Sequence, residues 1–197
     1  KVEKIADQEY CGEAIELTPA ELQVKDSKTG VVLSAGTDYD VSYEKNQNAG
    51  TATVILTGKG AYGGVLRKTF KIKPVVLATQ QKDGTQTIHA DIYQEQMPAD
   101  RTYDRTAQKP EDVKLRYKGT LLEKGRDYTL SYKNNTKAAG KTGGGNLAKA
   151  PVVIVTGKGN YAGKLMMYFS ILQSSLDEKA AFTVTAADVL YKDAKNN

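Results

Sequence analysis

The chain reads as an all-β protein, two antiparallel β-sandwich domains in tandem, and three observations carry that reading. One block is written twice. Gly36-Thr37-Asp38-Tyr39, Ser42-Tyr43 and Thr57-Gly58-Lys59-Gly60 return as Gly125-Arg126-Asp127-Tyr128, Ser131-Tyr132 and Thr156-Gly157-Lys158-Gly159. A repeated block of this length implies repeated structural units. Apolar and polar residues alternate within each copy: Tyr39, Val41 and Tyr43 against Asp38, Asp40 and Ser42, and likewise Tyr128, Leu130 and Tyr132. That period of two belongs to a strand with one buried face. No helical periodicity of ten or more residues occurs, whereas turn signals recur roughly every 8 to 12 residues, as in sandwiches that are immunoglobulin-like in the broad sense.

In chain order, Ala6-Asp7-Gln8-Glu9-Tyr10 opens the first copy, Ala99-Asp100-Arg101-Thr102-Tyr103 the second, and Ala187-Asp188-Val189-Leu190-Tyr191 a third that has barely begun. Residues 10–19 and 20–24 read as short extended pieces broken by Pro19. Asp26-Ser27-Lys28-Thr29-Gly30 reads as a turn, rich in residues that cap their own backbone or accept positive φ. Residues 31–33 and 39–43 follow as strands, 51–57 as a β-branched strand, and Leu66, Phe70 and Ile72 return on alternate positions to close a hairpin. Leu165, Met167, Phe169 and Ile171 repeat that return strand.

Residues 74–84 read as the polar bridge between copies and 85–93 as the strand that leads into the second. The domains expected are therefore 1–74 and 75–175. Residues 176–197 form either a closing strand or the start of a truncated third copy, extended over 181–191. The second copy alone carries a glycine-rich insertion at 141–150, with Gly143-Gly144-Gly145 expected as a flexible surface loop. Loops are where such modules diverge in function, so Lys141, Gly143, Gly144, Gly145 and Asn146 are the first candidates for ligand contact. Tyr117 and Tyr168, with Tyr93, fall outside the repeated landmarks and are candidates for a sugar-stacking surface. Packing in the core or at a sheet edge is the weightier expectation for these rings, since sugar sites favour Trp and the chain has none.

Composition bounds the rest. With 40% apolar and 26% charged residues the chain is ordinary globular material, and no apolar run reaches the roughly 18 residues of a membrane helix. Each copy is small enough that docking between copies should matter to stability. The core must rest on tyrosine and aliphatic side chains, for there are 12 Tyr, 3 Phe and no Trp. A tyrosine in a thin sandwich buries its ring and sends its hydroxyl to a partner near the rim. The single cysteine, Cys11, excludes an intramolecular disulfide scaffold. The net charge of +5 is spread along both copies without a basic run, which speaks against nucleic-acid binding. The chain opens at Lys1 rather than Met, which reads as a processed protein or a piece of a longer one.

Motifs for chemistry fail on context. Gly58-x-Gly60-x-x-Gly63 has dinucleotide-fingerprint spacing but runs into another strand, where the fingerprint needs a helix N-terminus. Lys59 and Lys158 precede Gly rather than Ser or Thr, so a phosphate-binding P-loop fails as well. His89 is the only histidine, so a histidine cluster for zinc is out of reach, and nothing flanks Cys11 or His89 to activate either. Asp38 and Asp127 recur, but Asp40 becomes Thr129, so no carboxylate pair is kept and turn capping is the simpler role. No Asp-x-Asp-x-Asp loop for calcium is present. No cofactor is expected.

Taken together, Tyr10, Gly36-Thr37-Asp38-Tyr39, Ser42-Tyr43, Ala49-Gly50-Thr51-Ala52-Thr53-Val54, Thr57-Gly58-Lys59-Gly60-x-Tyr62 and Phe70-Lys71-Ile72 resemble the immunoglobulin-like cell-surface repeats of Gram-positive extracellular multidomain proteins. The resemblance spans most of residues 1–73 and 99–172, and the second copy departs from it at the insertion. It implies a sandwich fold, an export route, an extracellular or cell-surface location and a non-catalytic role as adhesion module or stalk. The alternative is a glycan-binding accessory module of a larger extracellular enzyme. The partners expected are a host or matrix glycoprotein, a glycan or neighbouring domains of the parent protein. Nucleic acid and membrane insertion are not expected, and the chain is expected to be a monomer.

Overall fold

The computed structural model describes residues 1–174. The expectations for 176–197, a closing strand or a third copy, lie outside the described residues. Within them the protein is all-β, with 42% of residues in strands and 6% in helix. The first copy comprises β1 (Gln8–Glu9), the one-turn helix α1 (Pro19–Leu22), β2 (Tyr39–Glu44), β3 (Gly50–Gly58) and β4 (Val65–Lys73). The second comprises β5 (Val75–Val76), β6 (Ala78–Gln80), β7 (Gln86–Ile88), β8 (Ile92–Gln96), β9 (Arg101–Thr102), β10 (Lys114–Tyr117), β11 (Thr120–Leu121), β12 (Tyr128–Lys133), β13 (Val152–Gly157), β14 (Tyr161–Ala162), β15 (Lys164–Tyr168) and β16 (Ile171–Leu172).

The repeat in sequence is a repeat in register. In the first copy β2, β3 and β4 form an antiparallel meander, and β1 adds in parallel to the end of β4 through Gln8 opposite Ile72. In the second, β12, β13 and β15 form the same meander, and β9 adds in parallel to β16 through Arg101 opposite Ile171. A second three-stranded sheet, β8-β10-β11, lies within the second copy and shares its core. The alternating strands put Tyr39 and Tyr128 inside, at 3% and 4% exposure. Buried side chains fall into two clusters, one drawn from Val2 to Ile72 and the other from Val75 to Ile171.

The repeated polar residues hold turns. Asp38 Oδ2 accepts the Ser34 amide at 2.8 Å, and Asp127 Oδ2 accepts the Glu123 amide at 2.8 Å. The second tyrosine of each block ties the meander to the facing segment. Tyr43 Oη accepts the Leu17 amide and donates to its carbonyl, whereas Tyr132 only donates, because the equivalent position is Pro110 and has no N–H. Gly58 and Gly157 are required for a reason other than φ. A Cβ on Gly157 would lie 2.6 Å from the Ala162 amide nitrogen, and one on Gly58 2.9 Å from the Gly63 backbone.

Three expectations from sequence change. Residues 19–22, read as extended, form α1, because Thr18 and Glu21 make a reciprocal capping box and Pro19 at the first helical position has no amide to satisfy. Residues 85–93, read as one strand, are divided between β7 and β8, since the chain turns at His89-Ala90-Asp91 with the Ile92 amide bonded back to the His89 carbonyl. The bridge at 74–84 is not a free linker. Val75 and Leu77 are fully buried in the second core, and β6 and β7 form a hairpin turned by Asp83-Gly84.

Candidate functional site

The insertion folds back on the sheet. Gly143, Gly144 and Gly145 all occupy the left-handed region, with φ of 59°, 66° and 90°. Such backbone costs roughly 1–2 kcal/mol per residue when a Cβ is present, so the three glycines supply conformation rather than looseness. Two 3₁₀ turns result, Gly143–Gly145 and Leu147–Lys149. Asn134 pins the second by donating to the carbonyls of Ala148 at 2.8 Å and Ala150 at 3.0 Å.

Across the outer face of β13 and β15, the insertion and the β6-β7 hairpin make the two banks of a groove of about 710 Å³. Gln80, Gln81 and Asp83 stand on one bank, Asn134, Gly145 and Asn146 on the other, and Ile154, Met166 and Tyr168 form the floor. The hairpin is fixed to β15 by side chains. Gln86 Nε2 donates to the Met166 carbonyl at 2.7 Å while its Oε1 accepts the Met166 amide at 2.8 Å, and Gln80 donates to the Lys164 carbonyl at 3.0 Å. These bonds use backbone groups that an edge strand would otherwise leave open. The Thr85 hydroxyl and amide hold the Asp83 carboxyl below the usual range, so one bank carries a fixed negative charge. Amides, the Asp83 carboxylate and Lys133 around a half-buried ring and apolar floor suit a polar ligand with one apolar face, and the volume is that of an ordinary small-ligand site.

Of the residues singled out by sequence, Gly145, Asn146 and Tyr168 line this groove. Gly143 and Gly144 shape the loop without lining it, and the exposed Lys141 is tied through its amide to Ser170 Oγ at 3.3 Å. Tyr117 is a correction. Its ring is 3% exposed and its hydroxyl donates to the Tyr10 carbonyl at 2.9 Å, so it stacks on protein and no ligand can reach its face. Tyr93 is exposed on β8, away from the groove. Gln80, Gln81 and Asp83 were missed, although Asp83-Gly84 between alternating residues is a hairpin signal.

Tyr117 belongs to the joint between copies. Its ring lies 6.0 Å from that of Tyr10 in a stacked pair, and Tyr161 meets Tyr10 edge-on at 5.7 Å. Asn160 Oδ1 accepts the Ala49 amide at 2.8 Å, and its Nδ2 donates to Asn48 Oδ1 at 2.9 Å. The equivalent residue of the first copy is Ala61, so the copies differ at the position that hooks one to the other. His89 Nδ1 lies 3.2 Å from the Asp91 amide, and its Nε2 lies 3.3 Å from Glu9 Oε1.

The positions of chemically reactive residues are equally plain. Cys11 is half-buried with its Sγ near the Glu13 carbonyl, and among the described residues no three His, Cys, Asp or Glu side chains gather at a metal-sized site. Asp127 is buried beside Arg126. Burial opposes its ionisation, but the guanidinium at 2.8 and 3.0 Å and the Glu123 amide prevail and hold its carboxyl below the usual range. No helix among the described residues is long and apolar enough to cross a membrane. Comparison of the chain with protein-family models, curated proteins and solved structures finds no match.

Proposed function

We propose that this chain is a non-catalytic stalk and adhesion module of a bacterial surface or secreted protein, made of two immunoglobulin-like antiparallel sandwiches in tandem. The joint is the observation that carries the reading. A stalk must transmit position from one module to the next, and a free linker cannot. Here the connecting chain enters the strand β5, and Val75 of that strand and Leu77 just beyond it lie in the second core. Asn160 and the Tyr10, Tyr117 and Tyr161 rings close the joint from the side. Hydrogen bonds of this kind contribute roughly 0.5–1.5 kcal/mol each, enough together with the ring contacts to favour one arrangement. The extracellular location follows from the resemblance of the Gly-Thr-Asp-Tyr and Thr-Gly-Lys-Gly-x-Tyr blocks to bacterial surface repeats.

The groove favours a second reading, a glycan-binding accessory module of a larger extracellular enzyme. Its amide-rimmed floor of Tyr168, Met166 and Ile154 has the chemistry for a sugar face. Arrays of glycans and extracellular-matrix proteins probed with this chain decide between them. The control replaces residues 141–150 by the short turn of the first copy. Binding lost in that variant assigns ligand reading to the groove. Absence of binding by both folded proteins favours the stalk.

A further inference from the structure

The two copies differ in one filled place. In the second, Val75 and Val76 pair in parallel with Tyr161 and Ala162, the Val75 amide donating to the Asn160 carbonyl at 3.0 Å and the Leu77 amide to the Ala162 carbonyl at 2.8 Å. Val75 and Leu77 thereby complete a core that includes Leu115, Leu122, Tyr128, Val155, Tyr161 and Leu165. The register assigns the counterparts in the first copy: Val24, Leu33, Tyr39, Leu56, Tyr62 and Leu66. There they line a cavity of about 290 Å³ that no described segment fills.

The consequences can be read residue by residue. Leu165 is fully buried, whereas Leu66 is 38% exposed, and Val65 beside it is 62% exposed. A Cβ on Gly163 would strike Val76 Cγ1 at 2.8 Å, yet the same position on Gly64 meets nothing within 4 Å. The carbonyls of Ala61 and Gly63, equivalent to the two acceptors of the second copy, receive no hydrogen bond among the described residues. Apolar side walls and two aligned free acceptors are what strand addition requires.

We infer that this groove of the first copy accepts an extended strand of the Val75–Ala78 kind, donated by a module of the same repeat type other than a second copy of this chain, in parallel with Tyr62-Gly63. The occupant carries apolar side chains at alternate positions, like Val75 and Leu77, and donates two amides to Ala61 and Gly63. The inference rests on the register of the two copies and stands apart from the extracellular reading.

The test uses the whole chain and a synthetic peptide with the sequence of residues 73–82, whose terminal lysines keep it soluble. The tethered β5 holds the second groove at high effective concentration, so the free peptide is directed to the first. Amide chemical shifts should move saturably at residues 61–66 and at Tyr39. A peptide with Asp in place of both Val75 and Leu77, or the protein variant Leu66→Lys, should weaken binding at least about tenfold. Leu66 is already partly exposed, so that variant keeps its fold, which its unperturbed spectrum checks. Absence of shifts at 61–66 with millimolar peptide overturns the inference, as do shifts that persist with the Asp peptide. Dimerisation of the chain that Leu66→Lys abolishes would give the groove to a second copy and equally overturn it.

Discussion

Leu77→Ala tests whether the connecting segment is part of the second copy. Leu77 is fully buried among Val75, Ile92, Leu115 and the β13 side chains, while its neighbour Val76 is 43% exposed. Truncating Leu77 removes three carbons, about 2.4 kcal/mol of transfer free energy at ~0.8 kcal/mol each. Adding the cavity left behind brings the cost to about 3 kcal/mol, within the range for buried leucines. In a unit of this size that lowers Tm by roughly 12–24 °C. Val76→Ala loses two carbons that water already reaches in part and should cost about 0.5 kcal/mol. Urea titrations followed by amide signals separate the copies, with Val153 and Leu165 reporting on the second and Val54 and Phe70 on the first. Leu77→Ala should lower the midpoint of the second set by far more than Val76→Ala. Equal effects of the two substitutions, or none on Val153 and Leu165, would refute the placement of this segment in the core.

Tyr128→Ala should cost about 3–5 kcal/mol and Tyr128→Phe about 1 kcal/mol, because the ring is buried and its hydroxyl makes one bond, to the Val113 carbonyl at 3.3 Å; thermal melts of the two variants check the ratio. Asp127 has a depressed folded pKa, so its stabilisation is present above the unfolded value of about 3.9 and is lost as pH falls through the folded one. Asp127→Asn should therefore be less stable than the parent at pH 7, and the gap should begin to close only as pH falls below about 4 toward the depressed folded value, measured as urea midpoints across that range. Gly157→Ala forces a Cβ onto the Ala162 backbone and should cost about 1–3 kcal/mol or more. Gly140→Ala, with open space around it and no positive φ, should be neutral or slightly stabilising by calorimetry.

Much of the fold was legible because its information is local. Alternation at Tyr39, Val41 and Tyr43 fixes which face of β2 is buried, and the second copy repeats it at β12. The duplicated Thr-Gly-Lys-Gly block announces a turn between two strands in both places. The one-turn helix α1 escaped, since a capping box at Thr18 and Glu21 outweighs a four-residue apolar pattern too short to show a period. Residues 74–84 were misread because composition suggests a polar bridge, while Val75 pairs with Tyr161 and the Leu77 amide with the Ala162 carbonyl, both far along the chain.

The groove was half legible for the same reason. Gly145 and Asn146 stand out as an insertion, but the opposite bank comes from a hairpin brought alongside by tertiary structure. Tyr117 shows the limit of arguing from a departure in the repeat. It falls outside the shared landmarks because it serves the joint, where only one of the copies supplies each ring.

The claim that matters most is that the two copies form one rigid unit, and residual dipolar couplings of the backbone amides address it directly. Couplings would be fitted separately for residues 1–72 and 75–172 in a weakly aligned sample, with Asn160→Ala as a companion. The joint predicts a single alignment tensor for both sets in the parent and a growing disparity in the variant. Two tensors of clearly different magnitude in the parent protein would mean that the copies move independently, and the stalk reading would fall with them.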